Sequence, residues 1–213
     1  METKMNEESY RQLRRISNSD LSRFRDYLFG KKSYIPPRTA TFGRALHATL
    51  LEPNVPQIEV HTADQERLAL LEKNLRSHKA FNWYRQYSKK EHAQLFTDPA
   101  TDLLCKARLD MVYQNRVVLD LKTTSAHSYQ DFINQCHNLE YDRQAAFYLD
   151  SLGGTGKQFI FVGVQKKEPY DIFWFETTLE FLAEGRKKYQ FLLETWKDVN
   201  FDFNQGEPWR LVA

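Results

Sequence analysis

Two aspartates and a lysine stand in stretches that otherwise read as buried β-strand. Asp110 interrupts the apolar run Leu109-Asp110-Met111-Val112, and Val117-Val118-Leu119-Asp120-Leu121-Lys122 ends with a carboxylate and an ammonium two residues apart. Strand residues i and i+2 share a face, so Asp120 and Lys122 are expected to point the same way. A turn at Gln114-Asn115 would fold the two runs into a hairpin and bring Asp110 beside Asp120. Hard divalent cations such as Mg²⁺ are held by one or two carboxylates, with water and phosphate oxygens completing the shell. Such an ion polarises a phosphoryl oxygen and acidifies bound water, and an adjacent lysine orients that water or stabilises charge developing at phosphorus. Alone, an Asp-x-Lys pair on a strand is more often a solvated ion pair of little consequence.

Helices and strands must hold that cluster in place. Ser17-Asn18-Ser19-Asp20 are capping residues ahead of Leu21, Phe24 and Leu28, and Gly30 is a stop, so a short amphipathic helix is predicted there. Residues 31–39, with Pro36-Pro37, read as an extended loop before a helix over residues 42–51 that ends at Glu52-Pro53. Residues 63–87 keep a helical period through Leu68, Leu71, Leu75, Phe81 and Tyr84. Then the texture changes to β-branched and aromatic runs, predicting strands at residues 93–97, 103–113 and 116–121. Residues 128–152 predict one long helix or two, closed by Gly153-Gly154. Two more strands, 158–164 and 171–176, precede a last amphipathic helix over 178–199; the tail beyond has no clear period. The order predicts a mixed α/β fold, a central sheet flanked by helices. It is read as one domain over residues 1–213: a mainly helical part to residue 90, the catalytic sheet and helices over 91–200, and a tail from 201.

Composition limits the partners. The 213 residues carry 30 basic and 28 acidic side chains, a net charge of +2, so nucleic-acid binding would need a local patch. Two cysteines, Cys105 and Cys136, and a charged, polar start predict a reducing, cytoplasmic setting with no disulfide framework. No apolar run approaches the roughly 18 residues of a membrane span.

Three ordered runs join the cluster: Cys105-Lys106-Ala107-Arg108-Leu109-Asp110, then Val118 to Thr124, then Tyr141-Asp142-Arg143-Gln144-Ala145-Ala146-Phe147-Tyr148. Upstream lies Phe42-Gly43-Arg44-Ala45-Leu46-His47-Ala48-Thr49-Leu50-Leu51-Glu52-Pro53. Together they resemble the nuclease domain of the RecE (exonuclease VIII) family and its phage-borne relatives, within the PD-(D/E)xK superfamily; the match covers about residues 17–150. The resemblance implies a restriction-endonuclease-like core and a phage or prophage origin. It implies metal ligation by Asp110, Asp120 and the Leu121 carbonyl, with His47 close to the ion and Lys122 catalytic. Gln144 and Tyr148, at i and i+4, match the Q-x-x-x-Y motif of RecB-type relatives, and Glu91 matches an acidic position before the hairpin. His92 beside Glu91 would face the other side of the strand.

By the same resemblance the cofactor is Mg²⁺, or Mn²⁺ in its place. Two cysteines are too few for the four-cysteine iron-sulfur cluster of some RecB-type nucleases. The implied substrate is linear duplex DNA, digested from its ends for recombination or repair, by a ring-shaped trimer or tetramer and with a single-strand annealing recombinase as partner. Arg44, Lys106, Arg108 and Arg143 are candidate DNA contacts, with Lys166 and Lys167 a further charge pair in a turn. Trp83, Tyr84, Tyr87, Phe132 and Tyr141 are candidates for base stacking or for ordinary core packing. Competing readings are a structure-specific or nicking endonuclease of the same fold, and a non-catalytic DNA-binding or assembly subunit.

Overall fold

The computed structural model describes residues 5, 7–30, 34–199 and 201. The chain begins with α1 (Glu7–Gln12), α2 (Asn18–Leu28), α3 (Pro37–Leu51), α4 (Thr62–Ser77) and α5 (Lys79–Tyr87). Strands β1 (Lys89–Thr97), β2 (Leu104–Tyr113) and β3 (Val117–Thr124) follow, then α6 (Tyr129–Asn138) and α7 (Tyr141–Ser151). β4 (Gln158–Gln165), β5 (Ile172–Glu176) and α8 (Leu179–Asp198) complete it. Residues 31–33 of the expected loop, and all of the expected tail but residue 201, lie outside the described residues.

Local chemistry explains both the agreement and the differences. At α2 the Ser17 hydroxyl accepts the Asp20 N–H while the Asp20 carboxylate accepts the Ser17 N–H, a reciprocal capping box. α3 starts at Pro37, not at 42, because proline at the first helical position has no N–H to leave unsatisfied and its φ is already helical. The long helical period over 63–87 is broken at His78, whose ring accepts the Phe81 N–H and stacks on Trp174. α1 has only six residues and none of them is buried, so no apolar period announced it.

The strands form one sheet in the order β1-β2-β3-β4-β5. β3 and β4 are parallel, joined by α6 and α7, and the other neighbours are antiparallel. One face packs Phe24, Phe132, Phe147 and Leu193 of α2, α6, α7 and α8 against Val118, Phe159 and Phe161. The other packs Leu46, Leu50, Leu71, Leu75 and Phe81 of α3, α4 and α5 against Leu119, Leu121, Ile160 and Val162.

Strand alternation slips once, at Asp110. Cys105, Ala107 and Leu109 face the first cluster; Val112 faces it too, while Met111 faces the second. On β1 the pairing passes from Lys90–Met111 to His92–Leu109 and skips Glu91, whose φ is +49°. The β2–β3 ladder stops at Met111–Leu119. Past that point the Asp110 carboxylate replaces the ladder, accepting the Leu121 N–H at 2.8 Å. Left-handed backbone at a non-glycine residue costs on the order of 1–3 kcal/mol and persists only where the surroundings enforce it.

α7 and α8 touch backbone to backbone. A Cβ added at Gly185 would lie 1.9 Å from the Asp142 carbonyl oxygen and 2.8 Å from the Arg143 nitrogen, atoms that cannot rotate away. Gly185→Ala is therefore expected to destabilise the protein by about 1–3 kcal/mol, lowering Tm by roughly 2–4 °C for each kcal/mol. Thermal unfolding followed by circular dichroism reads this directly; a wild-type Tm would show that the helices do not meet there.

Candidate active site

The opened end of the hairpin floors a cleft of about 1190 Å³, with Asp110, Leu121 and Lys122 on its sheet side and Gly43, Arg44 and His47 on α3. Glu7 of α1, Glu91, Arg108 and Tyr141 complete its walls. Lys122 Nζ lies 2.7 Å from Asp120 Oδ2, as the shared strand face requires. Gln144 closes a ring around the pair: its Nε2 donates to Asp120 Oδ1 at 2.7 Å, and its Oε1 accepts from Lys122 at 3.1 Å. The ammonium also sits 4.7 Å from the centre of the Tyr141 ring. Burial alone would lower the lysine pKa, but the charges of Asp120 and Asp110, with Tyr141, outweigh it and hold the group above its ordinary value. Lys122 stays charged.

His47 reaches the same point from the opposite layer. Its Nε2 is 2.7 Å from the Leu121 carbonyl oxygen, and its Nδ1 is 3.4 Å from Asp110 Oδ2. A carbonyl can only accept, so Nε2 carries the hydrogen and Nδ1 keeps its lone pair. Burial, helped by the Lys122 charge and opposed by Asp120, lowers the histidine pKa and keeps the ring neutral. Burial and then the Asp120 charge raise Asp110 well above the carboxylate range. Glu91 is pushed up to about 7 by burial and by Asp110, despite an Arg108 Nε contact at 2.7 Å.

One ligand atom from each of His47, Glu91 and Asp110 falls within 4.8 Å of the others. Next to them Asp120 Oδ2 is buried, meeting Lys122 as an ion pair but receiving no hydrogen bond. Crowded carboxyls that hold protons against their ordinary pKa, beside an imidazole lone pair, fit a divalent cation that would displace those protons.

Residues 22–205 match the family described as a PDDEXK-like domain of unknown function (DUF3799). The chain belongs to this PDDEXK-like family. No curated protein matches it. Among solved structures, a presumed exonuclease from Eubacterium rectale is 14% identical with a TM-score of 0.69, the alignment covering 94% of this chain and 89% of that one. A phage related exonuclease from Haemophilus somnus 129PT is 12% identical, with coverages of 87% and 94% and a TM-score of 0.46. An alkaline exonuclease from Laribacter hongkongensis is 15% identical, with coverages of 96% and 100% and a TM-score of 0.46. At such identity the likeness to the Eubacterium protein is one of fold, and the sheet with helices on both faces is the restriction-endonuclease-like core expected from the motif order. The PD-(D/E)xK assignment stands.

Within this PDDEXK-like chain the predicted DNA contacts divide. Arg44 is exposed on the cleft wall and hydrogen-bonds Thr41. Arg108 also lines the cleft, but its guanidinium meets Glu52 at 2.9 Å, Glu91 at 2.7 Å and Glu7 at 3.7 Å. Lys106 and Arg143 are only 6% and 2% exposed. Lys106 Nζ donates to the Tyr10 and Leu13 carbonyls, each at 2.9 Å, and ties the end of α1 to β2. Arg143 Nη2 donates to Ser22 Oγ at 2.6 Å and joins α7 to α2. Neither presents its charge to the cleft, because a side chain beside a motif can turn inward without any change in sequence pattern.

Tyr148 follows Gln144 by one turn but packs against Phe147 and Phe159, and its hydroxyl bonds neither Asp120 nor Lys122. His92 lines a separate groove with Tyr87 and Gln94, on the far side of β1 as expected. Trp83, Tyr84 and Tyr87 cluster around Tyr113 and Trp174 rather than in the cleft, and Phe132 is core. Tyr141, offered by the sequence only as a stacking residue, is the one that touches Lys122; its i, i+3 spacing to Gln144 was the available signal. Glu52 and Glu7, the acids that hold Arg108, carried none. Both cysteines are buried and free, and burial pushes their thiols up to about 12, which keeps them unreactive. Among the described residues, no helix is long and apolar enough to cross a membrane.

Proposed function

We propose that the chain is a Mg²⁺-dependent deoxyribonuclease that digests linear duplex DNA from its ends. The observation that carries this reading is the closed ring of Asp120, Lys122 and Gln144, whose Lys122 lines the same open cleft as the His47, Glu91 and Asp110 cluster. A divalent cation held by Asp110, Asp120, Glu91 and His47 would polarise a phosphoryl oxygen and lower the pKa of a bound water. Lys122, kept charged by the two aspartates and prevented from swinging by Gln144 and Tyr141, is aimed to stabilise negative charge that grows on the phosphoryl oxygens. His47, neutral and fixed through Leu121, supplies a lone pair without adding positive charge to the site. Arg44 is placed to meet a backbone phosphate on the cleft wall. Choosing end-digestion over internal cleavage rests on the RecE-like motif order, supported by the fold shared with the presumed exonuclease from Eubacterium rectale.

Linear and covalently closed circular duplexes of one sequence, incubated with protein and Mg²⁺, separate the readings. The linear form is expected to be degraded and the closed circle left intact. Nicking of the circle would replace the exonuclease reading with an endonuclease of the same fold. Failure to act on either, by a protein that binds DNA, would make the chain a non-catalytic binding subunit.

A further inference from the structure

Arg108 and Asp110 stand two residues apart on β2, and because Cys105, Ala107 and Leu109 face the first apolar cluster, both turn the other way and line the cleft. The guanidinium is gripped from two sides: Nη2 donates to Glu52 Oε2 at 2.9 Å, and Nε lies 2.7 Å from Glu91 Oε2. Those two carboxylate side chains are 20% and 9% exposed, whereas Glu7, at 3.7 Å from Nη1, is 48% exposed and solvent weakens its pull. The contacts to Glu52 and Glu91 leave from different nitrogens of one rigid plane, a geometry that a lysine ammonium does not reproduce.

Glu91 is the residue of this set whose direction strand pairing does not fix. The β1–β2 ladder skips it between Lys90–Met111 and His92–Leu109, and its φ is +49°. Among the described residues its ion pair is with Arg108. Arg108 in turn is braced from the opposite layer. Glu52 caps the C-terminus of α3, its N–H bonding the Ala48 carbonyl, and His47 lies five residues earlier on the same helix. α3 therefore meets β2 twice, through His47 Nδ1 at 3.4 Å from Asp110 Oδ2 and through Glu52 on Arg108. Glu52 lies outside the group of ligand atoms formed by His47, Glu91 and Asp110, and reaches it through the guanidinium. Its negative charge also offsets that of Arg108, which would otherwise oppose a cation held beside it.

We infer that Arg108, braced by Glu52, is a positioning residue that holds the Glu91 carboxylate toward the cation site. The inference rests on the reading of the cleft as a divalent-cation nuclease site. Arg108 works through Glu91 and grips no phosphate. Losing its planar fork therefore weakens cation binding even where the charge is kept.

The test is calorimetric titration of the full chain with Mg²⁺, without DNA, with the fold of each variant checked by its Tm. Arg108→Lys, which keeps the charge and loses the fork, is expected to lower Mg²⁺ affinity by about 10–100-fold, the usual cost of losing a group that orients a metal ligand. Glu52→Gln lowers it in the same direction. In the double variant the two losses do not add, because the second change acts through a fork already gone. Wild-type Mg²⁺ affinity in folded Arg108→Lys, or losses that add in full, would overturn the inference. Wild-type Mg²⁺ affinity together with weakened duplex binding in EDTA would make Arg108 a phosphate contact instead. Should Arg108→Lys not fold, Glu52→Gln is read alone in 1 M salt, where a Debye length of about 3 Å screens the long-range effect of the lost charge; wild-type affinity there would overturn the inference as well. A protein that never cuts DNA but loses Mg²⁺ affinity in these variants sinks the nuclease reading and keeps the role of Arg108. An active enzyme whose variants bind Mg²⁺ as the wild type does gives the reverse.

Discussion

Lys122→Ala lowers the rate of phosphodiester cleavage by about 10²–10⁴-fold, the range for removing a charge-stabilising donor or a proton-handling group from a transition state. Divalent-cation binding survives the change. The two outcomes follow from one geometry: the ammonium is 2.7 Å from Asp120 and tied to Gln144, yet Asp120 keeps its Gln144 hydrogen bond without it, and the His47, Glu91 and Asp110 cluster does not touch it. Asp110 is held by the Leu121 N–H, and His47 by the Leu121 carbonyl. Removing a positive charge from beside the cluster should tighten cation binding if it alters it at all. Single-turnover cleavage of an end-labelled linear duplex, paired with calorimetric Mg²⁺ titration, checks both halves. A rate within a few-fold of wild type would remove Lys122 from the chemistry.

Asp120→Asn has the larger expected effect because it removes two functions at once. The buried carboxylate is the counter-charge that keeps Lys122 protonated, and its Oδ2 is the oxygen left without a hydrogen bond. The near-isosteric amide can still accept from Gln144, so the fold around α7 should persist. Cation affinity is expected to fall by at least about 10²-fold, since loss of groups that merely support metal ligands already costs 10–100-fold. Cleavage should fall at least as far as in Lys122→Ala. Calorimetry and the same single-turnover assay read these losses, and Mg²⁺ binding at wild-type affinity by the folded variant would take Asp120 out of the metal centre.

The parts of this site visible in the sequence were those carried by short-range periodicity. The i, i+2 spacing put Asp120 and Lys122 on one face, because the strand repeat fixes that relation locally, whereas Gln144 was marked by its likeness to the Q-x-x-x-Y motif. Much of the fold was legible for the same reason: capping residues at Ser17 and Ser128 and the glycines at 153 and 154 mark element ends by their own chemistry. The slip at Asp110 was not written in the chain, since Leu109 and Met111 share a spacing that should have placed both in one layer. It takes the β1 ladder, which skips Glu91 between Lys90–Met111 and His92–Leu109, to show that they part there.

What stayed hidden depended on distant partners. The inward turn of Lys106 needs α1, more than ninety positions upstream, and that of Arg143 needs Ser22 on α2. Glu52 holding Arg108, and Arg38 meeting Asp64, join residues with no common repeat. The helical period over residues 63–87 misled for a related reason. A capping histidine stacked on Trp174 of β5 ends α4, and nothing inside the segment announces that stop.

The central claim is that this cleft hydrolyses DNA by means of a divalent cation. The most direct measurement is the fate of an end-labelled linear duplex given the wild-type chain with Mg²⁺, and in parallel with EDTA. Progressive loss of duplex in Mg²⁺ and none in EDTA is the predicted result. Equal degradation in both, or intact DNA in both from a protein that binds DNA and Mg²⁺, would contradict it.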